Sequence, residues 1–130
     1  MKKKKQIQLL DVTLREGNYI IDFKLNLQQI SQTIEYLEGA NVQYIEVSNT
    51  CGTYPTGLTD DQYLETAKKT ANNSKIGALL VPSAQSSSFD FEKLCSLLDF
   101  VRVGINAPQV ENAAPVVKEL KRRKFGFWNH

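Results

Sequence analysis

Short apolar runs along the chain alternate with longer stretches in which apolar residues return every three or four positions. That is the pattern of strands alternating with amphipathic helices. The first run ends in charge. Over residues 9–15, Leu10, Val12 and Leu14 fall on one side of a strand, and Asp11, Thr13 and Arg15 on the other. Ile7 and Leu9 make that second side apolar at its start, so it turns polar only toward its carboxyl end.

After a loop at 18–24, a helix is expected from Asn26 and Gln29, whose spacing lets each side chain bond the other's backbone N–H. Leu27, Ile30, Ile34 and Leu37 supply its buried stripe and Gly39 marks its end. Residues 42–48 read as a second strand, with Tyr44, Glu46 and Ser48 on one face and Ile45 and Val47 on the other. A loop at 49–58 carries Cys51, Gly52, Pro55 and Gly57. It leads to a second capping pair, Thr59 and Gln62, and to a helix packing Tyr63, Leu64, Ala67 and Ala71.

Residues 76–81 are almost continuously apolar, as in a strand buried on both faces, and are closed by Pro82 and Ser83. A polar loop through the serine run 86–88 precedes a short helix with Phe91, Leu94, Cys95 and Leu98 as its stripe. Residues 100–105 form a fourth strand with Arg102 and Asn106 on its polar side. Pro108 suits a first helical turn. Val110, Ala113, Ala114, Val117 and Leu120 make the stripe of the helix that follows, which Pro115 either kinks or restarts. Residues 125–128 begin a fifth strand.

Strand starts near residues 7, 42, 76, 100 and 125, without hairpin signals, predict a parallel sheet joined by right-handed crossovers. A (β/α)8 barrel takes ~250 residues. The chain, residues 1–130, therefore reads as a single partial domain of class α/β, the amino-terminal half of a TIM (β/α)8 barrel. It holds about four βα units and the start of a fifth strand. The alternative is an open, doubly wound five-stranded sheet. The lack of a glycine-rich phosphate loop after the first strand, and of a fifth helix, argues against it.

Composition adds little to this picture and removes several function classes. With 42% hydrophobic and 23% charged residues the chain is of ordinary globular type, and no apolar run approaches the ~20 residues of a membrane span. Lys2 to Lys5 precede only residues 7–10 as an apolar run, short of the roughly 7–15 residues of a secretion signal. Cys51 and Cys95 lack C-x-x-C spacing, which favours free thiols in a reducing cytoplasm over a disulfide or zinc site. Cys95 is expected in the core. The net charge is +2, and the basic cluster Lys118, Lys121, Arg122, Arg123 and Lys124 suits the negative end of a helix. Neither nucleic acid nor a membrane is expected as a partner.

Chemistry in parallel α/β folds sits at the carboxyl ends of the strands. Here those ends supply Arg15, Glu16, Glu46, Ser48, Asn49, Ser83, Arg102 and Asn106. Glu46 and Arg102, on alternate strands, share a layer and are expected to pair, because an unpaired buried charge costs ~3–5 kcal/mol. The pair reads either as a structural ion bond or as a substrate contact.

Asp11-Val12-Thr13-Leu14-Arg15-Glu16-Gly17 resembles the D-x-T-L-R-[DE]-G signature of the metal-dependent aldolase, acyl lyase and synthase superfamily. Its members include hydroxymethylglutaryl-CoA lyase, isopropylmalate and homocitrate synthases, and 4-hydroxy-2-oxovalerate aldolase. Ile45-Glu46-Val47 is similar to the family's second strand, and Val101-Arg102-Val103 to the fourth strand of the hydroxy-oxovalerate aldolases. Gly104-Ile105-Asn106-Ala107 lacks the histidine that follows there.

The resemblance implies that Arg15 stabilises an enolate or carbonyl oxygen. It also implies that Glu16, where aspartate is usual, ligates a divalent metal: Mg²⁺, Mn²⁺ or Zn²⁺. The family's two histidine ligands come from a later strand, and His130 is not one of them. Tyr19 stands where aldolases have a histidine base, and is either catalytic or a pocket wall. Glu46, Ser48, Arg102 and Asn106 are then the substrate-binding candidates.

The implied function is a metal-dependent C–C lyase or aldolase, similar to 4-hydroxy-2-oxovalerate aldolase, acting on a small-molecule 2-oxo acid or acyl substrate through an enolate. An acyl-CoA-dependent synthase and a non-catalytic α/β module are the alternatives. Without the histidine ligands the 130 residues are expected to be inactive alone. Their open strand edges are expected to associate with other copies, giving a possible homo-oligomer.

Overall fold

The computed structural model describes residues 6–82 and 91–123, with the backbone alone at Phe91 and Leu94. Ser83, the serine run, the expected fifth strand at 125–128 and His130 lie outside the described residues.

Strands β1 (Leu10–Asp11), β2 (Tyr44–Ser48), β3 (Lys75–Leu80) and β4 (Phe100–Val103) form one sheet in chain order, each parallel to the next. That order decides between the two expected architectures. A doubly wound sheet reverses direction at a switch point. Strands added always on the same side, with right-handed crossovers, place their helices on one face, as a (β/α)8 barrel does. The fold is α/β, with four parallel strands alternating with helices as in part of a (β/α) barrel.

Helices α2 (Leu27–Gly39) and α3 (Asp60–Thr70) both open with the expected capping boxes. Asn26 Oδ1 accepts from Gln29 N at 2.8 Å while Gln29 Oε1 accepts from Asn26 N at 2.9 Å. Thr59 and Gln62 repeat the exchange at 3.3 and 3.0 Å. Between these helices and the sheet lies the core, in which Ile30, Ile34, Ile45, Val47, Tyr63, Leu64, Ala67, Ile76 and Ala78 are fully buried. Gly39 is the last residue of α2, and it is Asn41 (φ 61°) that takes the left-handed conformation after it.

The opening segment departs from expectation. β1 is only two residues long, and Thr13–Ile20 is a helix, α1. The cause is local. Asp11 Oδ1 accepts from Thr13 N at 2.9 Å and Asp11 Oδ2 from Thr13 Oγ1 at 3.0 Å. This aspartate-centred turn takes the backbone out of the sheet and into a helix. The alternation of Leu10, Val12 and Leu14 against Asp11, Thr13 and Arg15 is therefore not realised. Leu14, Arg15 and Asn18 form the buried face of α1 instead. The expected loop from Asn18 is likewise helix as far as Ile20. The turn after it passes through Asp22 (φ 54°) and Phe23 (φ 60°), pinned by Asn18 Oδ1 accepting from Leu25 N and by Tyr63 Oη donating to Leu25 O.

The carboxyl-terminal part is also corrected in detail. Val81 falls outside β3 and is half exposed, and β4 stops at Val103 rather than residue 105. After α4 (Phe91–Leu97) and β4, a 3₁₀ helix (Ala107–Asn112) is irregular at Gln109 and gives way to α5 (Ala113–Arg122). Pro115 lies in the first turn of α5, where its missing N–H costs little. The buried stripe of α5 is Val116 and Leu120, packed with Leu80, whereas Val110 is exposed. Cys95 is half-buried rather than core, and burial raises its thiol pKa.

One close approach fixes β3 against β4. Gly77 pairs with Phe100, and a methyl group at Gly77 would overlap the Phe100 ring. Gly77→Ala is expected to cost ~1–3 kcal/mol in urea unfolding. Gly39→Ala, which adds a methyl to open space, should leave stability unchanged or raise it by up to ~1 kcal/mol. A Gly77→Ala protein as stable as the parent would contradict this packing.

Candidate active site

Glu46 lies in the middle of β2 with its side chain fully buried. Its Oε1 accepts from Arg15 Nε at 2.7 Å and from Arg102 Nη2 at 2.8 Å, and its Oε2 accepts from Arg102 Nε at 2.6 Å. Arg15 Nη1 also reaches Glu16 Oε2 at 2.9 Å. The result is a line of alternating charge, Glu16, Arg15, Glu46, Arg102. It runs from α1 through β2 to β4 across the mouth of the sheet. The expected Glu46–Arg102 pair is present, and Arg15 joins it as a second cation.

Burial grades along this line. Side-chain exposure is 0% for Glu46, 11% for Arg15, 43% for Arg102 and 63% for Glu16. A carboxylate out of water needs several charge-assisted bonds to offset its desolvation, and Glu46 has three. Its hydrogen bonds hold the Arg102 guanidinium above its ordinary pKa, with the charge of Glu16 adding a smaller push.

The β2–α3 loop supports the cluster. Asn49 Nδ2 donates to the Arg15 carbonyl at 3.1 Å, so Arg15 is held by its side chain on β2 and by its main chain on the loop that follows. Asp60, buried at the start of α3, accepts from Ser48 Oγ (2.5 Å), Tyr54 Oη (2.6 Å) and Gly52 N (2.5 Å). Burial, and then the charge of Asp60, push the Tyr54 phenol far above its usual range, so it stays a neutral donor. Burial, followed by the same charge, also raises the Cys51 thiol. Thr50 adopts φ 51°, unfavourable for a β-branched residue. It is held there by Oγ1 donating to Leu79 O at 2.9 Å. Backbone strain of this kind persists where the surroundings over-determine it.

Of the residues singled out from the sequence, Arg15, Glu16, Glu46 and Arg102 come together. Ser48 is fully buried, and its hydroxyl donates to Asp60 and accepts from Thr50 N. Tyr19 lies one turn along α1 from Arg15, half exposed, with its ring edge-on to Phe23 at 4.7 Å. Asn106 is exposed, and its carbonyl accepts from Gln109 N at the start of the 3₁₀ helix. Asn18 and Asp60 escaped the sequence reading. Asn18 shares a helical face with Arg15, a signal visible only once that segment is known to be helix. Asp60 directly follows a capping threonine and looks like an ordinary first-turn acid.

The donors do not by themselves fit a divalent metal. Among the described residues no three His, Cys, Asp or Glu side chains converge. Glu16, the ligand that the motif implies, is a single exposed carboxylate with one oxygen on Arg15.

Removing Glu46 alone leaves two guanidiniums without their shared partner, so Glu46→Ala is expected to cost ~3–5 kcal/mol in urea unfolding. Replacing the triad together, with Glu46→Leu, Arg15→Met and Arg102→Met, should recover most of that loss, since a buried ion cluster adds little net stability over apolar packing. A triple variant as unstable as Glu46→Ala would show that the cluster is held for stability rather than for chemistry.

No family model matches the chain. Among curated proteins it is 28% identical over 122 residues to the oxaloacetate decarboxylase of Mycobacterium tuberculosis, covering 88% of this chain and 36% of that protein. It is 28% identical over 134 residues to the 4-hydroxy-2-oxovalerate aldolase of Carboxydothermus hydrogenoformans, covering 95% and 40%. The aldolase of the same name from Geobacillus genomosp. 3 is 29% identical over 135 residues, with the same coverage. The chain thus spans 36–40% of the length of these relatives. The similarity extends along most of the chain, which resembles the amino-terminal part of 4-hydroxy-2-oxovalerate aldolases and of an oxaloacetate decarboxylase, members of the hydroxymethylglutaryl-CoA lyase-like superfamily.

Proposed function

We propose that the chain forms the oxyanion-binding part of a C–C lyase acting on a small 2-oxo acid, with Arg102 receiving the carboxylate and Arg15 the oxygen that becomes an enolate. The observation that carries this reading is the pair of guanidiniums, one from α1 and one from β4, fixed on one buried carboxylate of β2. Arg15 spends Nε and Nη1 on Glu46 and Glu16, and Arg102 spends Nε and Nη2 on Glu46. Each keeps further N–H donors for ligand oxygens, since a guanidinium carries five.

Charge fixed before the substrate arrives stabilises a developing enolate without reorganisation, which is why such preorganised donors dominate many rate enhancements. Glu46 has both oxygens committed, so its role is to position the arginines. Tyr19, exposed one turn from Arg15, is the available proton carrier on α1. The relatives support the substrate class, because oxaloacetate and 4-hydroxy-2-oxovalerate are both 2-oxo acids and both named activities break a carbon–carbon bond. The described donors do not assemble a site for the divalent ion implied for Glu16. A cytoplasmic setting agrees with the two free thiols.

Titration calorimetry with pyruvate tests the reading. The chain should bind it, and Arg102→Ala should weaken binding roughly tenfold or more, the worth of a hydrogen bond to a charged group. Absence of pyruvate binding, or Arg102→Ala binding as the parent does, would count against it.

A further inference from the structure

The two carboxylates on Arg15 are of opposite character. Glu46 is fully buried and carries three charge-assisted bonds, so it stays in place. Glu16 follows Arg15 directly on α1, and adjacent residues of a helix do not face one another. Contact at 2.9 Å requires the glutamate side chain to fold back over the guanidinium, with 63% of it still exposed. An exposed pair of this kind is weak and easily exchanged. Glu16 is also near enough to Arg102 for its charge to act there. The same exposed carboxylate thus contacts one of the guanidiniums assigned to the substrate and adds its charge to the surroundings of the other.

We propose that Glu16 is the internal counter-ion of the anion site, occupying Arg15 Nη1 when no ligand is bound and displaced when a 2-oxo acid binds. This rests on the reading of Arg15 and Arg102 as a 2-oxo acid site. Empty, the line of two arginines and two glutamates is neutral, which keeps the guanidiniums fixed without attracting simple anions. A ligand offering a carboxylate and an adjacent carbonyl oxygen can engage both arginines and offset the loss of the Glu16 contact. A lone carboxylate engages Arg102 and leaves Glu16 in place. Glu16 is in this sense a specificity residue.

The test is titration of oxalate, a planar anion with adjacent carboxylates, into the chain in EDTA at low ionic strength. Three proteins are compared: the parent, Glu16→Gln, and Glu65→Gln as a control that removes the same charge from an exposed position on α3. Glu16→Gln is expected to bind oxalate roughly twofold to fivefold more tightly, the release of an exposed ion pair. Glu65→Gln should bind as the parent does, and all three should melt alike. Equal or weaker binding by Glu16→Gln, or the same gain in Glu65→Gln, would overturn the displacement while leaving the 2-oxo acid reading standing. Absence of oxalate binding in all three would overturn both.

Discussion

A carboxylate sealed from water inside a sheet has to be surrounded by positive charge, and Glu46 meets that requirement with arginines from two separate elements. Arg15 comes from α1 and Arg102 from β4, so one side chain on β2 ties together parts of the chain separated by 31 and 56 residues. The tie works because it is buried. An exposed ion pair contributes ~0–1 kcal/mol, whereas leaving one charge of a buried pair unpartnered costs ~3–5 kcal/mol. The position of α1 over the sheet and the placement of Arg102 near the mouth both follow from satisfying Glu46.

Around this cluster the structure spends conformational freedom to stay rigid. Thr50 and Phe23 adopt left-handed backbone conformations, and each lies in a turn locked by side-chain bonds: Thr50 by its own hydroxyl donating to the Leu79 carbonyl of β3, and the Phe23 turn by Asn18 and Tyr63. Asp60 gathers Ser48, Tyr54 and Gly52 into one network beneath the β2–α3 loop. A site that acts by presenting fixed charge needs supports of this kind, because a guanidinium free to follow the ligand loses the benefit of preorganisation.

Much of the fold was legible because it is decided by local chemistry. The capping pairs at Asn26 and Thr59, the stripe of α2 and the apolar run of β3 depend on neighbours within a few residues, and each was found. The Glu46–Arg102 pair was legible for a different reason, that alternate strands of a parallel barrel share a layer. The opening helix was not. Alternation over seven residues is compatible with either period, and the Asp11–Thr13 turn that settled the matter is a three-residue device inside an apparent strand. Reading it as strand hid Asn18. Ser48 fell on the right face, but its partner Asp60 lies beyond a loop whose path the sequence does not encode in any simple pattern. In the last helical segment Val110 falls in the 3₁₀ helix and is exposed while Val116 on α5 is buried, because the irregular Gln109 resets the helical phase.

The central claim is that one carboxylate holds both arginines at once. Arginine side-chain Nε–H signals in ¹⁵N-edited NMR test it directly, since both Nε groups donate to Glu46. The account predicts two Nε–H signals slowed in exchange with water, assignable to Arg15 and Arg102, both shifted and exposed to exchange in Glu46→Gln. A Glu46→Gln protein in which either signal keeps its position and protection would contradict it.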